Sequence, residues 1–140
     1  MQELYNFIIE NWILSTLFLT VLGILIFSFV SQKSSISPTE AVNLLNKMGD
    51  KLLIIDLRPI DAFKNGHIIN AVNLSVNNLE NSLDSYSKFK QTPVLIYCDS
   101  GMVSSSNSAI FKKKGFIDFR ILRGGLDSWK QENLPTEQKK

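Results

Sequence analysis

The stretch Thr92-Pro93-Val94-Leu95-Ile96-Tyr97-Cys98-Asp99-Ser100-Gly101-Met102-Val103-Ser104 decides the fold. Its first half is a short apolar run bounded by a proline and reads as a buried strand ending at Tyr97. Its second half is a polar loop leading into Ser104 to Lys114, a segment bracketed by Gly101 and Gly115 as a helix would be. Cys98, the one cysteine of the chain, therefore falls at the carboxyl end of a strand, the edge where open α/β sheets place their ligands. The amides and positive dipole end of the following helix face that loop and favour negative charge on sulfur or on a bound anion. Gly101 lets the backbone turn tightly enough for the amides to converge. Free cysteine is also among the most buried residue types, so spacing alone leaves a nucleophile and a structural cysteine both open.

Outward from this stretch the same alternation continues. Ser37-Pro38-Thr39-Glu40 reads as a capping box with proline at the first helical position. Ala41, Val42, Leu44, Leu45 and Met48 then keep helical spacing, and Gly49 supplies a left-handed stop. Leu52 to Ile55, Ala71 to Leu74 and Ile117 to Leu122 read as further strands, and Leu79, Leu83 and Tyr86 recur at helical spacing. Near-continuous apolar strands alternating with helices predict an α/β domain with a mostly parallel sheet covered on both faces.

Residues 12–30, WILSTLFLTVLGILIFSFV, contain no charge, and as a helix rising about 1.5 Å per residue they match the thickness of a bilayer core. A cleaved signal peptide would want a basic start and small residues before the cut, whereas Glu3 and Glu10 precede this run and Phe29 and Val30 end it. The sequence thus predicts a short N-terminal segment over 1–11, a transmembrane helix over 12–30 in contact with membrane lipid, and a polar linker over 31–35. The domain follows over 36–136, with a tail over 137–140. Two acids before the span and Lys33 and Lys47 after it place the N-terminus outside and the domain in the cytoplasm, at the inner (plasma) membrane. A reducing cytoplasm also suits an unpaired thiol.

Composition excludes several classes of function. With 15 Lys plus Arg against 13 Asp plus Glu, no broad footprint for nucleic acid stands out. Lys112, Lys113 and Lys114 read as a solvated helix end that complements the helix dipole. One Cys and one His argue against a metal site, and nothing in the chain calls for a cofactor.

Several stretches together resemble the rhodanese-like domain, a sulfurtransferase fold. Asp56-Leu57-Arg58 with Phe63, Gly66-His67-Ile68, Ala71 and Asn73 is similar to that family's motif D-x-R then F-x-x-G-H-I-x-x-A-x-N. Ile121-Leu122-Arg123-Gly124-Gly125, Trp129 and the late Pro135 resemble its closing segment, and Cys98 occupies the family's catalytic position. The resemblance covers roughly 36–136 and implies a three-layer α/β domain. An N-terminal span together with a C-x-x-G-M loop resembles the membrane-anchored bacterial subgroup. It further implies that Cys98 takes sulfur from a donor, carries it as a persulfide and hands it to an acceptor, either a small molecule or another protein. Asp99, Ser100, Gly101, Met102, Val103 and Ser104 would form the loop around that anion. Asp56 and Arg58 would support it from beneath, His67 would be a satisfied turn residue, and Trp129 would pack.

Departures from the family pattern bear on the reaction. Many active members carry C-R-x-G-x-R, and the two arginine positions here hold Asp99 and Val103. Losing a charge-assisted guanidinium fork costs about 2 to 4 kcal/mol, which predicts reduced activity toward thiosulfate. Cysteine phosphatases use C-x5-R, and that arginine position holds Ser104, which argues against phosphoryl transfer. The missing arginines also fit an alternative, a catalytically weak interaction module at the membrane surface. A redox sensor acting through Cys98 is a third reading, weakened by the lack of a resolving cysteine.

Overall fold

The computed structural model describes residues 1–31 and 35–138, without the side chains of Leu4 and of residues 28–31. The chain divides into two compact units, Met1–Lys33 and Ser34–Lys140.

The first unit holds two helices, α1 (Gln2–Glu10) and α2 (Trp12–Ser31), joined at Asn11, whose side-chain amide donates to the Phe7 carbonyl at 3.1 Å. The short N-terminal segment expected over 1–11 is thus mostly helical. Along α2 the large apolar side chains from Trp12 to Phe27 stand exposed. Among the described residues no helix is long and apolar enough to cross a membrane. The transmembrane helix expected over 12–30 is therefore not found among the described residues. Of that expected span, residues 28–30 lie outside the described side chains.

The second unit is a five-stranded parallel sheet flanked by helices, in the order β1-β5-β4-β2-β3. Its strands are β1 (Ser35–Ile36), β2 (Leu53–Asp56), β3 (Ala71–Asn73), β4 (Val94–Tyr97) and β5 (Phe119–Leu122). Its helices are α3 (Pro38–Met48), α4 (Ile60–Asn65), α5 (Leu79–Ser82), α6 (Met102–Lys113) and α7 (Gly125–Gln131). Ser35, placed in the linker by sequence, begins the edge strand β1, while 32–34 lie outside the described residues. At the other end Glu137, placed in the tail, pairs antiparallel with His67. β1 was not expected, because two residues carry no periodicity to read.

Alternation along the strands sorts the core into two layers. Ile54, Leu95, Tyr97 and Leu122 face one side, where Ala41, Leu126 and Trp129 cover them. Leu53, Ile55, Val94 and Ile96 face the other, against Leu79, Leu83, Phe111 and Phe116. The capping box at α3 is complete. Glu40 N–H donates to Ser37 Oγ at 3.3 Å, and Glu40 Oε2 accepts from the Ser37 backbone at 2.7 Å. The Leu79–Tyr86 periodicity does not produce one helix. α5 ends at Ser82 and tighter turns run over Leu83–Phe89, with Tyr86 at φ −107° and ψ 19°.

Candidate active site

β4 and α6 position Cys98 as the spacing predicted, with α6 beginning two residues earlier, at Met102. The helix starts early because Gly101 caps it in the left-handed region, at φ +92°. That turn aims the Gly101 N–H at Cys98 Sγ, 3.1 Å away. Ser104, wholly buried on the first turn of α6, sets its Oγ 3.4 Å from the same sulfur and donates to the Gly101 carbonyl at 3.2 Å. Cys98 as a residue is buried, 3% exposed. A cavity of about 200 Å³ opens beside it, lined among others by Leu57, Arg58, Pro59, Asp99 and Val103. Met102, by contrast, projects outward and is 74% exposed.

Beneath the loop lies an ion pair. Asp56, at the end of β2, is wholly buried and takes Arg58 Nη2 at 2.7 Å and Nε at 3.1 Å on each oxygen. Arg58 Nη2 also donates to the Gly66 carbonyl at 2.6 Å, and Nη1 reaches Asp99 Oδ1 at 3.4 Å. Burial alone would lower the pKa of the guanidinium, but its hydrogen bonds and attraction to Asp56 hold it above the usual arginine value. Asn73 Nδ2 donates to the carbonyls of Asp56 and Arg58, at 3.1 and 2.7 Å, and ties β3 to this corner. Tyr97, whose phenol pKa is pushed up chiefly by burial, lies on the same face of the sheet as Asp56 and accepts from the Ile68 N–H at 3.1 Å.

Sequence reasoning missed the part played by α7. Gly124 and Gly125 both lie at positive φ, +71° and +58°, and bring the chain against the cysteine loop. Leu126 N–H then donates to the Cys98 carbonyl at 2.8 Å and Asp127 N–H to the Asp99 carbonyl at 3.0 Å. The Gly-Gly doublet was the available signal. His67 is buried, stacks on Phe63 at 3.8 Å and makes its Nδ1 contact with the Phe63 carbonyl at 2.7 Å, far from a solvent-facing base. Trp129 packs in the core and donates to the Pro135 carbonyl at 2.9 Å.

A five-stranded parallel sheet with a cysteine at the carboxyl edge of its central strand, its sulfur met by a loop amide, defines a class of cysteine-loop α/β domains. Within that class, the family model of the Rhodanese-like domain matches residues 37–132, and the chain belongs to this family. It is 33% identical to the uncharacterized protein YibN of Escherichia coli (strain K12), over 96% of each chain. It is also 33% identical to the thiosulfate sulfurtransferase GlpE of Coxiella burnetii (strain RSA 493 / Nine Mile phase I), over 75% of this chain and 94% of that protein. Among solved structures, the rhodanese-like domain of the Anabaena sp. Alr3790 protein superposes with a TM-score of 0.68 at 23% identity, over 76% of this chain and 80% of that one, a likeness of fold.

Proposed function

We propose that this chain is a membrane-tethered sulfurtransferase of the rhodanese type that carries sulfane sulfur as a persulfide on Cys98. The observation that carries the reading is the Gly101 N–H set 3.1 Å from Cys98 Sγ at the head of α6, a fixed donor where negative charge would sit. Family membership and a relative named as a thiosulfate sulfurtransferase support sulfur transfer as the class of reaction. The thiolate attacks the outer sulfur of the donor, the donor's own bond to that sulfur breaks with its electron pair, and the acceptor later removes the sulfur by the same chemistry. Asp56 and Arg58 hold the strand end beneath the loop and do not touch the sulfur. The test treats the full chain in detergent with sulfane-sulfur donors and looks by mass spectrometry for a gain of about 32 Da on Cys98. An adduct absent with every donor sinks the proposal.

The tether is supported by the uncharged run 12–30 and by the apolar side chains that α2 exposes on every side. Residues 12–30 would lie in lipid, with the domain on the cytoplasmic side of the inner membrane. A chain that stays in the membrane pellet after alkaline carbonate, and one lacking 12–30 that is released, are the expected results. Protease should reach the domain in inside-out vesicles and not in right-side-out ones.

The loop itself favours a second reading. Its side chains from Asp99 to Ser104 include no cation, which fits a catalytically weak module that binds a protein partner. Complementation of a deletion by Cys98→Ser separates the two, since full rescue supports the module and loss of rescue supports the carrier.

A further inference from the structure

The cavity beside Cys98 carries one cation, Arg58, and the way that cation is held bears on which sulfur donor fits. Arg58 is 95% hidden, as its 5% exposure records, and does not present a free fork to the cavity. Its Nε and Nη2 are committed to the buried Asp56 carboxylate and the Gly66 carbonyl, and its Nη1 is turned toward Asp99 Oδ1, 3.4 Å away. The Asp99 side chain, 63% exposed, also lines the cavity. Arg58 is thus faced by two carboxylates, so the formal charge of the three groups is negative. Leu57, Pro59 and Val103 add apolar wall and no charge.

We infer that Asp99 masks Arg58 and acts as the specificity-determining residue of this site, so that the cavity takes a persulfide borne on a cationic carrier in preference to an anionic sulfane-sulfur donor. The inference rests on the sulfur-carrier reading of Cys98. In the step concerned, the Cys98 thiolate forms an S–S bond to the terminal sulfur of R–S–SH. The S–S bond between that terminal sulfur and the inner sulfur breaks, and R–S⁻ leaves with the electron pair, so no outside oxidant or reductant is needed. For thiosulfate the leaving group is sulfite, and the donor brings two negative charges toward Asp99. A donor whose R group carries an ammonium meets the opposite field.

The experiment compares initial rates of Cys98 persulfide formation in the full chain in detergent, with cysteamine persulfide as the donor whose R group carries an ammonium and thiosulfate as the dianionic one. Intrinsic reactivities of the two donors differ, so the quantity read is their rate ratio in the wild type against the same ratio in Asp99→Asn. Removing one unit charge at the cavity wall should reduce that ratio about tenfold, and added salt should narrow the gap. Asp99→Ser, which removes the charge with a different shape, should match Asp99→Asn. A ratio unchanged in both variants overturns the masking role while the carrier reading stands. Adduct formation with neither donor in any of the proteins overturns the carrier reading and the inference with it.

Discussion

Gly125 lies against the main-chain carbonyl of Cys98 so closely that a side chain at position 125 would overlap both that oxygen and the carbonyl of Asp99. The close approach is what lets Leu126 N–H reach the Cys98 carbonyl at 2.8 Å. The last helix is therefore part of the scaffold of the cysteine loop.

Gly125→Ala meets two penalties at once, the overlap with fixed backbone and a φ of +58° that a Cβ disfavours. The expected loss of stability is about 2 to 4 kcal/mol, read by chemical denaturation of the full chain in detergent. Persulfide formation on Cys98 should fall with it even under conditions where the protein remains folded, because the loop loses its two anchors on α7.

Arg58→Met leaves the wholly buried Asp56 carboxylate without its guanidinium partner, while the Arg58 backbone N–H stays at 2.8 Å. Stranding a buried charge in this way destabilises by about 3 to 5 kcal/mol. The paired change Asp56→Leu with Arg58→Met should be markedly less harmful than the single one, and a double-mutant cycle in denaturant measures the difference.

Ser104→Ala removes the buried hydroxyl that stands 3.4 Å from Cys98 Sγ and donates to the Gly101 carbonyl. Stability should drop by about 1 to 2 kcal/mol. Persulfide formation at neutral pH should slow by roughly three- to tenfold, since one of the polar contacts available to the sulfur is gone. Mass spectrometry of the adduct over time gives both rates.

Glu40 predicts a pH dependence. The Ser37 backbone N–H and then the Ser37 hydroxyl hold the Glu40 carboxyl below its ordinary value. A depressed carboxylate contributes stability that is complete above the unfolded-state pKa and is lost as pH falls through the folded-state one. Thermal midpoints should therefore decline on acidification below the usual glutamate range, and Glu40→Gln should flatten that part of the profile while lowering the neutral-pH midpoint slightly. Scanning Tm from neutral to acid pH for both proteins checks the sign.

Residues close in sequence determined much of the outcome on their own. Ser37 to Glu40 form their capping box within one turn, and Val94 to Tyr97 are apolar without a break because both faces of the sheet are covered. The place of Cys98 between a strand and a helix follows from the residues on either side of it. The tertiary structure alone decided what surrounds that cysteine. The Arg58 to Asp99 contact joins residues 41 apart, the Gly125 approach brings the last helix back onto the loop, and His67 pairs with Glu137 at the far end of the domain. It also broke the Leu79 to Tyr86 periodicity into short turns and added a two-residue edge strand. The division has a physical reason. Capping, apolar runs and glycine turns act over a few residues and leave a pattern in the chain. Contacts across parallel crossovers depend on how the helices settle on the sheet, and no local pattern records that.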